Sequence, residues 1–205
     1  MRFIFKTDYG QDIQLVKHGG QAFWYGLLGL VMLLAPLWAG DYWLSQIGFV
    51  LIYAVAGLGL MVLSGFTGLA SIGHAAFLGV GAYVQAVLSA KGWPFPLTMA
   101  LAAALSAAVG VVVGLPALRV KGIYLAIATL AFGFIVEEVL ARWESVTKGN
   151  AGMSVTSPQF FGADLGGSEA FYYIALGTTA LVTLAVLNLL RSATGRAFIA
   201  IRDSE

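Results

Sequence analysis

The apolar positions of this chain fall into six blocks: residues 23–39, 42–63, 69–88, 95–118, 122–140 and 170–190. Short polar, glycine-bearing or proline-bearing breaks separate them. Each block is close to the roughly 20 apolar residues that a helix needs to cross a bilayer. Their residues run on without the in–out alternation of barrel strands. In lipid only helices and closed barrels satisfy their own backbone groups. The pattern therefore predicts an all-α fold, a polytopic transmembrane helical bundle of about six segments over residues 23–190. An arm of residues 1–22 precedes it and a polar segment, 191–205, follows. The first block is followed at once by a second and has no small-residue cleavage site, which argues against a removed signal peptide.

Lysine and arginine set the orientation. With a cytoplasmic N-terminus and six crossings, the inner segments hold Arg2, Lys6, Lys17, Arg119, Lys121, Arg191, Arg196 and Arg202. The outer segments hold Lys91, Arg142 and Lys148. Both ends are thus expected inside, and the longest connection, 141–169, is an outer loop with Glu144, Asp164 and Glu169. The third block is the weakest span, because Gly73, Gly79 and Gly81 each cost about 1 kcal/mol of helix propensity relative to alanine. It reads either as one continuous helix or as one broken or re-entrant near residues 71–74. Re-entry would reverse the sidedness of everything after it.

The fourth block, "MALAAALSAAVGVVVGLPAL", places Ala100, Ala104 and Ala108 at spacing four, then Gly110 and Gly114. Small residues on one stripe let helix backbones approach closely in lipid. An internal helix packed by its neighbours is the expectation, with a dimer seam as the sharper alternative. Pro116 ends or kinks this block, and Arg119 and Lys121 follow at the boundary, where long basic side chains snorkel. Trp24, Trp38, Trp43 and Trp93 lie near block ends, as interfacial anchors do.

Intramembrane polar residues are candidates for function, and "GFTGLASIGHAAFLGVGAY" concentrates them. Ser71 and His74 are three apart and would share a helix face, a spacing that raises nucleophilic catalysis. No third group is evident, and "GLASIG" is not the G-x-S-x-G elbow of a strand–turn–helix site. A serine bonded to its own backbone and a histidine bonded across to another helix fit better. The glycines are not followed by Lys-Ser or Lys-Thr, so no Walker loop is present. His18 and His74 are the two histidines, and no H-E-x-x-H occurs, so no metal site, catalytic residue or cofactor is expected. Glu137 and Glu138 are read as a helix end at the interface rather than as the lining of a polar pathway. "NLLRSATGRAFIAIRDSE" runs from the last block into a short amphipathic helix, either a solvated tail or a docking helix.

Composition sharpens this. The chain is 60% hydrophobic and 10% charged, with a mean hydropathy of +0.88, against about 45–50% and about 25% in soluble domains. A soluble fold of 205 residues could not hide that surface. The absence of cysteine excludes disulfides and thiolate chemistry, and a net charge of +1 gives no case for nucleic acid.

Four stretches carry a family resemblance. "GLGLMVLSGFTGLASIGHAAFLGVGAYVQAVL" (57–88), "LRVKGIYLAIATLAFGFIVEEV" (118–139), "SVTKGNAGM" (145–153) and "ATGRAFIAIRDSE" (193–205) resemble, in order and spacing, permease subunits of branched-chain amino-acid ABC importers. These are of the LivM/LivH type, with LivM the better fit. Two departures stand out: Leu69 where many members have glutamine, and Lys148 within what is often Thr-Gly-Gly. Members also continue for further spans, so the chain is expected to be a C-terminally truncated form. The resemblance implies a bacterial inner-membrane protein paired with a LivH-like second permease subunit. Two cytoplasmic ABC ATPases would hydrolyse ATP, and a periplasmic substrate-binding protein would deliver branched-chain amino acids; urea, amides or aromatic acids are the other cargoes such a resemblance admits. It places Gly68, Ser71, Gly73, His74 and Gly79 beside the substrate path, and Gly195, Arg196, Ala200 and Arg202 in the ATPase-coupling segment. A stand-alone secondary transporter is the alternative; such proteins often carry inverted repeats, and none is evident here.

Overall fold

The computed structural model describes residues 19–117, 119–120, 122–155, 157–160, 163–164 and 166–203. Most of the N-terminal arm, with Arg2, Lys6, Lys17 and His18, lies outside the described residues, as does Lys121. The described chain is helical throughout, apart from loops and a two-residue antiparallel pair, Gln159–Phe160 with Ala163–Asp164.

Helix α1 (Gly19–Leu34) passes into a 3₁₀ turn, Ala35–Leu37, where Pro36 cannot continue an α-helix. Helix α2 (Asp41–Leu60) starts on Asp41, whose charge suits the positive end of the helix dipole. It runs on as a π-turn, Met61–Phe66. Helix α3 (Ala75–Ala90) is followed by a tight turn and then by α4 (Phe95–Ala117), which ends one residue beyond Pro116. Helix α5 (Ile123–Arg142) leads through a single helical turn, α6 (Glu144–Thr147), into the longest loop. Helix α7 (Ser168–Arg191) carries Glu169 in its first turn and Arg191 in its last, both matched to its dipole. Helix α8 (Ala193–Asp203) turns off its end.

Among the described residues, five continuous stretches are long and apolar enough to cross a membrane: Gly20–Leu37, Asp41–Phe66, Phe95–Ala117, Ile123–Arg142 and Ser168–Arg191. Little of any of them is buried within the chain. Side chains such as Val112, Leu115, Ile127, Phe134 and Leu181 face outward. Apolar residues turned out on nearly every side mean that lipid or other membrane helices complete the packing.

The third block is not one continuous helix. Residues 67–74 are not helical, and the helix begins only at Ala75. Sixteen helical residues rise ~24 Å, less than the ~30 Å hydrocarbon thickness, so the helix is too short to span that thickness by itself. Ser71 and His74 therefore do not share a helix face, because neither lies in a helix.

Packing is strongest between α2 and α7 and between α3 and α4, with α5 beside α3. At the first contact Leu44, Leu51, Tyr172 and Ala175 are buried together with Ala35 and Ala39. The Tyr172 hydroxyl donates to the Met32 carbonyl at 2.7 Å, and Tyr173 donates to Leu33 O at 3.0 Å, tying the start of α7 to the end of α1. Against α3, helix α4 turns Thr98, Ala102 and Ser106, while Ala100, Ala104 and Ala108 are exposed. Within this chain the packed face is the one two residues out of step with the alanine stripe, and an exposed stripe is what the dimer-seam alternative expects. Gly110 does face inward, with its missing Cβ 3.7 Å from the Phe77 ring; nothing lies within 4 Å of a Cβ at Gly114.

Lys148 sits at φ 59°, in the left-handed region, between α6 and the Gly149–Ala151 turn. Side chains pay about 1–2 kcal/mol there and glycine does not, which accounts for glycine in the pattern this loop resembles. Lys148→Gly is expected to raise the unfolding midpoint in detergent, by about 1 kcal/mol of stability.

Candidate functional site

The break is built from short side chains. Near its start the Thr67 hydroxyl donates back to the Leu63 carbonyl, and Ser64 donates to Leu60 O at 2.7 Å. Hydroxyls bonded to the preceding turn loosen a helix and bend it, and π-turns of this kind recur at functional sites. Gly68 follows at φ +76°, a reversal that ordinary side chains resist.

The far end of the break is held against α5. The Ile72 amide donates to Thr129 Oγ1 at 3.0 Å. Gly73 is buried so close to α5 that a Cβ on it would overlap the Thr129 carbonyl, with the Gly133 nitrogen 3.4 Å away. A Cβ on Gly133 would in turn stand 3.4 Å from the Gly73 Cα. Two glycines thus let two backbones touch at a crossing. Thr129→Val removes the acceptor of the Ile72 amide and is expected to cost ~1 kcal/mol. Thr129→Ser should stay near wild type in thermal unfolding, since the hydroxyl remains.

From this crossing a groove of about 340 Å³ runs between α3 and α5. Ile72, Gly73, Gly79, Gly133, Leu140 and Glu137 are among its lining residues, and Glu137 is its one charged group among the described residues. A wider opening at the end of α5 adjoins it, lined by Glu137, Glu138, Arg142, Glu144 and Asn150, with Arg142 and Glu138 paired as an ion pair. Of the five path residues expected from sequence, Gly73 and Gly79 line this groove. Gly68 lies at the other end of the break, and Ser71 and His74 are not among the groove's lining residues.

His74 caps the start of α3 without a side-chain cap bond. Its ring lies edge-on to Phe77, centroids 5.9 Å apart, and its Nε2 is 3.2 Å from where a Gly59 Cβ would be. Its Nδ1 is buried with no hydrogen-bond partner among the described residues. The expected interhelical hydrogen bond is thus an interhelical packing contact across Gly59. Phe77 stacks on toward Phe132 of α5, and Ser106 of α4 donates to Phe77 O at 3.3 Å, so α3, α4 and α5 meet one turn beyond the break.

The residues expected to couple to an ATPase all lie on α8. Gly195 is buried where α8 leaves α7; a Cβ there would overlap the Leu190 carbonyl. Arg196 and Ala200 are exposed. Arg202 Nη1 donates to Gly65 O at 3.3 Å, and its Cγ is 3.0 Å from a Gly68 Cβ position. Sequence reasoning left Glu137 at an interface. The signal that could have found it is the face it shares with Gly133 and Leu130, one helical turn and two away.

A helical chain with, among the described residues, five stretches long and apolar enough to cross a membrane and a shorter apolar helix beside an interhelical groove is a multi-pass membrane protein. Residues 42–205 match the family described as branched-chain amino acid transport system / permease component, and the chain belongs to that family. It is similar to the high-affinity branched-chain amino acid transport system permease protein LivM of Salmonella typhimurium, 36% identical over 180 residues, covering 76% of this chain and 42% of that protein. The LivM protein of Escherichia coli K12 is 34% identical over 180 residues, with the same 76% and 42% coverage. The aligned region thus spans less than half the length of these curated relatives. No solved structure matches the chain. Both the break and α8 fall within the family match.

Proposed function

We propose that this chain forms one half of the translocation path of an ABC importer for branched-chain amino acids, in the bacterial inner membrane with its N-terminus in the cytoplasm. A LivH-like permease subunit supplies the other half, a periplasmic binding protein delivers the substrate, and two cytoplasmic ATPases hydrolyse the ATP. The single observation that carries the reading is the non-helical stretch at residues 67–74, which opens on the groove between α3 and α5. Broken helices place free backbone groups within the membrane where a polar solute must pass. The groove's apolar lining suits an aliphatic side chain. Glu137 at its rim suits an α-ammonium group, and the first amides of α3 suit a carboxylate. Permease family membership and the names of the two relatives support the substrate class.

Sidedness follows the sequence argument. Arg119, Arg191, Arg196 and Arg202 lie toward the cytoplasm, and the 143–167 loop lies toward the binding protein. The α8 segment, with Gly195, Arg196, Ala200 and Arg202, is the ATPase-coupling region. The test is uptake of labelled leucine by proteoliposomes holding this protein, its partner permease, the ATPases and the binding protein. Uptake should need ATP and every subunit. Uptake that follows an ion gradient without the ATPases would replace this reading with secondary transport.

A further inference from the structure

The residues of α8 divide into two sets. Gly195, Phe198 and Arg202 recur at spacings of three and four and lie on one face. Gly195 and Phe198 are at least partly covered, and Arg202 reaches the π-turn of α2. Arg196 and Ala200 lie on a second face and are exposed. The Arg202 contact has a specific chemistry. A helix end leaves its last carbonyls without intrahelical donors, and a cation beside them is favoured by the helix dipole as well. Arg202 donates to one such carbonyl, that of Gly65, in the last turn before the break. Its aliphatic stem meanwhile packs on Gly68, where the chain reverses at φ +76°. A side chain at Gly68 would meet that stem at 3.0 Å, so the glycine also makes room for the arginine.

We infer that Arg202 is a positioning residue that joins α8 to the start of the non-helical stretch between α2 and α3, and does not itself face the ATPase. This rests on the permease reading above and deepens it. Beyond that start, Ile72 and Gly73 are pinned to α5. The break is therefore a short strap held at both ends, by Arg202 at Gly65 and Gly68 and by Thr129 at Ile72. A displacement of α8 pulls on the first anchor while α5 fixes the second, and the strap that borders the groove changes shape. Arg196 and Ala200, on the outer face, are left to make the contact with the partner. The ion pair of Arg202 with Asp203, at 3.6 Å, holds the guanidinium on the α8 side of the joint.

Two readouts on the assembled importer test this with Arg202→Ala and Arg202→Lys. Hydrogen–deuterium exchange over residues 61–74 reads the joint directly and needs no transport. Arg202→Ala should speed it several-fold by freeing a local opening, and Arg202→Lys, which keeps a cation at the carbonyl, should restore much of the protection. Unchanged exchange in Arg202→Ala would overturn the inference even if the importer works as proposed. The second readout compares leucine uptake with ATP hydrolysis. Arg202→Ala should lower uptake about tenfold, within the usual range of coupling energies, while hydrolysis holds and Arg202→Lys recovers part of the uptake. Uptake and hydrolysis falling together would instead make Arg202 an ATPase contact. If wild-type importer shows no ATP-dependent uptake, the permease reading fails, and the exchange result still decides the role of Arg202 in the fold.

Discussion

Gly73→Ala is expected to be the most damaging single-methyl substitution in the chain. The added carbon would overlap the Thr129 carbonyl, and neither neighbour is a side chain that can swing away. Relief requires α5 to retreat from α3, which breaks the Ile72 amide bond to Thr129 and opens the Gly73–Gly133 crossing. Overpacking that flexible side chains absorb costs ~1–3 kcal/mol; two opposed backbones should place this variant at the upper end or beyond. Thermal unfolding in detergent checks it, with Gly57→Ala as control. Gly57 lies in α2 with nothing within 4 Å of its Cβ position, so alanine there should be neutral or gain ~1 kcal/mol from helix propensity.

Gly195→Ala should act differently, because its obstacle is the last turn of α7. The methyl would overlap the Leu190 carbonyl and stand 2.6 Å from the Leu190 Cα, so α8 must pivot off the end of α7. The main buried cluster, with Leu44, Leu51, Tyr172 and Ala175, does not include the last turn of α7. The unfolding midpoint of the bundle should therefore move little. Leucine uptake should fall about tenfold or more, since coupling needs different contacts in the two states and a displaced lever makes neither. Exchange over α8 should rise while exchange over residues 168–191 stays low. A variant that loses the bundle's midpoint instead would show that the corner is part of the core.

The contrast between these two glycines shows what the sequence could and could not disclose. Block length and hydropathy located the crossings, and proline and charge marked several ends: Pro116 one residue before the end of α4, Glu169 and Arg191 at the two ends of α7. Family resemblance carried the permease class. Which glycine meets what depends on the partner helix, and no local pattern encodes that. Gly73 and Gly79 look alike in sequence, yet one abuts a backbone and the other a leucine methyl at 3.4 Å. The alanine stripe of α4 shows the same limit: its spacing suits packing, but within the chain the helix presents the neighbouring face, with Ala102 and Ser106. Arg202 could be read as a basic residue after a span, but its link to Gly65 joins residues 137 positions apart.

The central claim is that the break beside α5 borders the substrate path, and the cysteine-free sequence permits a direct measurement. In the assembled importer, Ile72→Cys should react with a small water-soluble thiol reagent from the binding-protein side, and leucine with its binding protein and ATP should slow that reaction several-fold. Val112→Cys, on the outward surface of α4, reports the lipid-facing background. A cysteine at Ile72 that is no more reactive than one at Val112, or that reacts at the same rate with and without leucine, would contradict the account.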